Sequence, residues 1–151
     1  MYKGNNNEIY GDVEETILAC LLLKPELINK LKVSEKDFTK FNSTLTFFKE
    51  FYAKYKNLDI SIMFSVLKGN AEMQMLDMIT YLSEIFVLPT HFNEYQERLL
   101  DRNAQTKKEK WLSGKIYEKA TKMYMGNISL NDFYKEIESL KINANKIDWR
   151  K

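Results

Sequence analysis

The side chains that most often carry chemistry are scarce and scattered in this sequence. His91 is the only histidine and Cys20 the only cysteine. Zinc sites need His and Cys ligands at short spacings such as C-x-x-C or H-E-x-x-H, and neither spacing occurs. Cys20 lies in an apolar run, residues 17–23, where burial raises the pKa of a thiol and makes it a poor nucleophile. We therefore predict no metal site, no cofactor and no catalytic residue, and place His91 at a helix start or linker.

The adjacent carboxylates Glu14 and Glu15 come nearest to an acid–base pair. Neighbours on a helix point about 100° apart, so the two cannot share one substrate. In a first turn they suit the positive end of a helix dipole. The glycines match neither G-x-x-x-x-G-K-[ST] nor G-x-G-x-x-G, so no phosphate-cradling loop is expected. The sequence predicts a protein that is not an enzyme and does not hydrolyse ATP alone.

Basic residues are frequent between residues 98 and 122 and could form a nucleic-acid contact. The residues that we single out for contact with DNA or a protein partner are Lys107, Lys108, Lys110, Trp111 and Tyr117. Acidic residues are interleaved with these lysines, and such alternation is typical of a solvated, salt-bridged helix face. We favour the solvated face and retain DNA binding as the alternative.

Composition fits a folded protein without an extreme charge. Of the 151 residues, 44% are hydrophobic, which is enough to form a core. The net charge of +2 is too small to indicate a protein that coats a polyanion. The apolar run at 17–23 is too short to cross a bilayer and follows acidic residues, so we predict a cytoplasmic location without membrane contact.

Helical periodicity organises the first part of the chain. Residues 1–11 are predicted to form a flexible arm and residues 12–89 a compact head of several helices. Asp12 is the predicted N-cap of the first helix, with Glu15 closing a capping box, and Ser61 is the predicted cap of a later one. Gly69 is predicted to end that later helix. Sustained apolar/polar alternation is absent, so we predict no sheet.

A stretch of more than thirty residues from His91 to Met125 predicts one long helix. A turn at Gly126 follows, and a second helix with an apolar seam starts at Ser129. The fold class is thus all-α, with a compact multi-helix head and a long C-terminal antiparallel hairpin over residues 90–147, and a tail at 148–151. More aromatic surface is present than two helices can hide from each other, so we predict assembly with a second copy or another protein. The predicted hairpin and assembly interface is formed by Leu112, Ile116, Met123, Leu130, Phe133, Ile137 and Leu140.

Several short motifs follow one another along the chain: the residues from Glu15 to Ile28, the pair Asp37-Phe38, Leu58-Asp59 with the apolar positions 62–67, Tyr81 to Ile85, Pro89, and Asn93 to Tyr95. In this order they resemble the N-terminal domain of the DnaB-type hexameric replicative DNA helicases. The likeness covers roughly residues 13–140. It departs from the family at residues 10–15, in the loop after Gly69 and in having no ATP-hydrolysing motor.

The resemblance implies a domain that builds the collar of a helicase ring and docks primase or a helicase loader, with helicase subunits as further partners. It implies either a piece of a helicase or a short relative encoded by a phage or mobile element. Residues 21–27 also resemble the first helix of the helicase-binding C-terminal domain of bacterial primases. That domain, or a phage-type helicase loader or inhibitor, is the alternative within the same class.

Overall fold

The structure is a computed structural model that describes residues 12–68 and 73–151. The described residues form helices and the segments that connect them, and none of these residues lies in a strand. The α-helices are α1 (Val13–Leu23), α2 (Asn42–Tyr55), α3 (Ile60–Lys68), α4 (Met73–Ser83), α5 (Phe92–Tyr124) and α6 (Leu130–Lys146). Short 3-10 helices cover Pro25–Lys30, Glu35–Asp37 and Pro89–His91. The all-α prediction is confirmed for the described residues.

Two compact units divide the chain between Leu100 and Asp101. The first turns of α5 therefore belong to the first unit, where Phe92, Gln96 and Leu99 are buried. The sequence had placed the boundary near Thr90, at the start of this helix. Periodicity could not place it further along, because Phe92, Tyr95 and Leu99 follow the same helical spacing whichever unit they pack into.

The core of the first unit is built around α1, whose residues from Ile17 to Leu21 are buried. Asp12 caps this helix as predicted, since its side chain accepts a hydrogen bond from the Glu14 N–H at 2.7 Å. Glu15 makes a different contact from the predicted capping box, because its carboxylate accepts from the Tyr81 hydroxyl at 2.9 Å. This contact between Glu15 and α4 cannot be predicted from the residues that surround Glu15 in the sequence.

Aromatic and aliphatic side chains of α2 fill the other side of this core. Leu45, Phe48 and Phe51 are buried, and Phe51 packs against Tyr55 with ring centroids 4.5 Å apart. Large rings bury much apolar area per residue, which suits a small unit. These side chains recur every three or four residues, which is the spacing of one face of a helix.

The predicted start of α3 was wrong by two residues. Asp59, and not Ser61, is the cap, because its carboxylate accepts from the Ile62 N–H at 3.2 Å and the helix begins at Ile60. Asp and Ser are comparable caps, so composition alone did not separate the two positions. The predicted arm (residues 1–11) and the predicted helix end at Gly69 lie outside the described residues.

Glu35 ties the short 3-10 turn to α2. Its carboxylate accepts from the Lys49 ammonium at 2.8 Å and from the Thr46 hydroxyl at 3.0 Å. The hydrogen bond from Lys49, helped by a backbone N–H, lowers the pKa of Glu35 below its ordinary 4.5. A lowered folded-state pKa contributes stability above the ordinary value, and this contribution is lost as the pH falls through the folded-state pKa.

We therefore expect Glu35→Gln to be less stable than the wild type at neutral pH by about 0.5 kcal/mol, as for a partly exposed ion pair. The difference should shrink as the pH is lowered below 4.5. Urea unfolding at a series of pH values measures it. A difference that stays constant across that range would show that the contact contributes through its shape and not its charge.

The second unit contains the remainder of α5, the turn and α6. Gly126 has a positive φ of 80°, and the N–H groups of Gly126 and Asn127 donate to the carbonyls of Met123 and Lys122. This is a Schellman ending, and glycine tolerates its left-handed conformation. Ser129 then caps α6, since its hydroxyl accepts from the Asp132 N–H at 3.1 Å. Both the predicted stop and the predicted start are confirmed.

Candidate interaction surface

Cys20 and His91, the residues most able to carry covalent or acid–base chemistry, both pack against other residues of the fold. Cys20 is fully buried, and burial raises the pKa of its thiol to about 12, so the thiolate is not formed near neutral pH. His91 ends the short 3-10 helix immediately before α5, in agreement with the predicted helix start or linker, and the centroid of its ring lies 6.2 Å from that of Tyr95 in an edge-on arrangement. The described residues hold no group of three or more side chains able to bind a metal ion.

The position of Glu14 differs from the exposed first-turn site that the sequence predicts for it. Glu14 is fully buried, and its carboxylate accepts four hydrogen bonds of 2.9 to 3.1 Å. The donors are the Thr39 hydroxyl and the backbone N–H groups of Thr39, Lys40 and Phe41. These residues immediately precede α2, whose N-cap position is held by Phe41, a residue without a capping side chain. The carboxylate from α1 thus satisfies donors at the start of α2, which is a structural role.

Side chains of α5 and α6 contact each other at both ends of the second unit. Lys119 pairs with Glu136 at 2.9 Å, and Lys108 donates to the Asn145 side chain at 2.8 Å. Earlier residues of α5 therefore meet later residues of α6. Along α5 the half-buried positions recur every three or four residues, which marks one face of a helix.

The seven residues predicted for the hairpin and assembly interface differ in burial. Six of the seven are half-buried, whereas Leu130 at the start of α6 is 53% exposed. The half-buried residues are Leu112, Ile116, Met123, Phe133, Ile137 and Leu140. Ala144 is the one fully buried residue of α6, where a small side chain lets another group approach closely.

Trp149 is the residue that approaches Ala144, at a position where the sequence predicts a tail. Its indole N–H donates to the Ala144 carbonyl at 2.8 Å, and its ring lies 5.6 Å from that of Trp111. Next to it, the Arg150 guanidinium donates twice to one oxygen of Asp101, at 2.6 and 3.1 Å. A tryptophan this close to the end of an apolar seam was the available signal for a packed segment.

The five residues singled out for partner or DNA contact are not equivalent. Trp111 is half-buried against Trp149, and Lys108 is engaged with Asn145. Lys107, Lys110 and Tyr117 are exposed and remain accessible to a partner. The structure therefore separates residues that hold the second unit together from residues that could bind something else.

Four exposed apolar side chains of the second unit flank the turn between its helices. We call Tyr124, Met125, Leu130 and Tyr134 the turn surface, and their exposed fractions are 91%, 68%, 53% and 58%. Leu130 and Tyr134 are four residues apart and share one face of α6. On α5, Tyr117 lies two turns before Tyr124 on the same face and is 74% exposed. Exposed apolar patches of this kind mark interaction sites.

No protein-family model, no curated protein and no solved structure matches this chain. In the described part of the chain, no helix has the length and hydropathy needed to cross a bilayer.

Proposed function

We propose that this chain is a non-catalytic interaction and assembly domain of the DNA replication machinery. The observation that carries the proposal is the turn surface, where four large apolar residues stand exposed beside a short turn. Isolated apolar residues on a surface need no explanation, but a cluster on adjacent turns favours a bound partner. Two further observations support a non-catalytic role. The Glu14 carboxylate already accepts hydrogen bonds from the chain, and Cys20 is buried as a protonated thiol.

The second unit is proposed to act as an antiparallel helical hairpin. The Lys119–Glu136 and Lys108–Asn145 contacts support this arrangement, as do the half-buried faces between them. In this proposal the seam holds the two helices together and leaves the turn surface for another molecule. A rigid pair of helices loses little conformational entropy on binding, which favours affinity.

The proposed partners follow from the resemblance to the N-terminal domain of DnaB-type helicases. They are a second copy of the chain, replicative helicase subunits, and primase or a helicase loader, all in the cytoplasm. A helicase-binding domain like that of primase, or a phage-type loader or inhibitor, would use the same surface for the same class of partner. Apolar side chains from a partner helix would cover the tyrosines and Leu130.

The test is binding to purified bacterial replicative helicase, primase and loader, each immobilised in turn. We expect at least one to bind the wild-type chain, and Tyr124→Ser/Leu130→Ser to weaken that complex by about tenfold or more, since exposed aromatic anchors dominate such interfaces. Phe86→Ser is the matched control, because Phe86 is 85% exposed but lies in the first unit. Equal loss with the control, or no binding to any of the three proteins, would contradict the proposal.

The alternative from another class is a DNA-binding module that uses the basic part of α5. Exposed Lys107 and Lys110 favour it, whereas the engagement of Lys108 and Lys119 within the unit weighs against it. DNA affinity that falls steeply with salt and is lost in Lys107→Glu/Lys110→Glu would select this function. Lys108 is left unchanged in that variant, because its loss would also disturb the contact with α6.

A further inference from the structure

The first unit contains a cleft of about 460 Å³ between the segment after α1 and the start of α5. Lys24, Lys30 and Lys32 line it from one side, and Phe92, Asn93 and Gln96 from the other. Its volume lies in the range of sites that hold a small ligand or the side chains of a bound peptide.

The fold holds the backbone at two of the three lysines of the cleft, Lys30 and Lys32. Gln96 is almost fully buried, and its amide oxygen accepts from the Lys32 backbone N–H at 2.6 Å. The amide nitrogen of the same side chain donates to the Lys30 carbonyl at 3.3 Å. The backbone that carries two of the lysines is therefore fixed to α5. Preorganised groups of this kind bind at a lower entropic cost.

The charge in the cleft is not compensated internally. All three lysines are exposed, and none forms an ion pair with a carboxylate among the described residues. The positive end of the α5 dipole lies at Phe92 and Asn93 and adds to the same field. An occupant with negative charge would be attracted to this position.

Apolar side chains lie in the lining of the same cleft and next to the lining residues in the sequence. Leu27 and Phe92 are lining residues that are buried in the core. Leu23 and Leu88 immediately precede the lining residues Lys24 and Pro89, and their side chains are 64% and 41% exposed. An occupant that matches both properties carries acidic groups around an apolar anchor.

We propose that this cleft binds an acidic peptide segment of a partner protein through one leucine or phenylalanine side chain flanked by carboxylates. A nucleic-acid strand fits less well, because single strands are bound by stacking bases on exposed aromatic rings. Phe92 is the one aromatic residue among the described residues that line the cleft, and it is only 3% exposed. This inference concerns the first unit alone and stands independently of the function proposed for the turn surface.

The test is fluorescence anisotropy of labelled peptides with the full chain. One peptide carries a central phenylalanine among aspartates and glutamates, the second has serine in place of the phenylalanine, and the third has lysines in place of the acids. We expect saturable binding of the first peptide only. Affinity should fall about tenfold or more in Lys30→Glu/Lys32→Glu and should decrease with added salt.

Lys36→Glu is the matched control, since Lys36 is an exposed lysine of the same unit that does not line the cleft. It should leave affinity within about twofold of the wild type, as expected for a charge outside the contact. Circular dichroism checks that each variant is folded. Failure of the first peptide to saturate, equal binding of the serine peptide, or an unchanged affinity in the double variant would overturn the proposal. So would tighter binding of a single-stranded oligonucleotide that displaces the peptide.

Discussion

Replacement of Glu14 by alanine is expected to lower the free energy of unfolding by about 3 kcal/mol, the scale measured when one partner of a buried charged network is removed. The wild-type carboxylate accepts from Thr39, Lys40 and Phe41, with two donors on each oxygen. Without it, three backbone N–H groups at the start of α2 lose their acceptor. A cavity in the core adds to the loss.

The glutamine variant separates charge from shape at this position. Glu14→Gln keeps the volume and one acceptor oxygen, but its NH₂ group would face donors, so we expect a smaller but clear loss of about 2 kcal/mol. Glu15→Ala is the matched control, because Glu15 is the neighbouring carboxylate and accepts one hydrogen bond on the surface, from Tyr81. It should cost less than about 1 kcal/mol.

Urea-induced unfolding of the four proteins, followed by circular dichroism, measures these differences from the transition midpoints. If Glu14→Ala and Glu15→Ala were equally stable, the four hydrogen bonds of Glu14 would not matter to the fold.

Much of the fold could be predicted from local patterns. The α5 helix, the glycine stop at Gly126 and the cap at Ser129 each depend on residues within a few positions of one another, and the structure has them where the sequence placed them. The aromatic face of α2 is of the same kind, because helical spacing alone defines it.

Contacts between distant residues could not be predicted in this way. Glu14 bonds to residues 39–41, Gln96 bonds to Lys30 and Lys32, and Trp149 packs on Trp111. A carboxylate in a first helical turn has the same local signature whether it faces water or a neighbouring helix start. The lysine-lined cleft was missed for the same reason, since its two sides are more than fifty residues apart in the sequence.

The second large effect is expected at the turn surface. Tyr124 and Leu130 are 91% and 53% exposed, so their replacement by serine removes little buried area within the chain and should leave its stability nearly unchanged. In a complex between copies the same side chains would be desolvated, and each would contribute about 1.5–3 kcal/mol of apolar burial. Their loss should therefore weaken assembly by at least about a hundredfold while the fold persists.

Sedimentation equilibrium over a wide range of protein concentrations tests the assembly claim most directly. We expect reversible self-association of the wild type, a large shift of this equilibrium toward monomer in Tyr124→Ser/Leu130→Ser, and no shift in Phe86→Ser. A wild-type chain that stays monomeric at every concentration, or a double variant that associates as the wild type does, would contradict it.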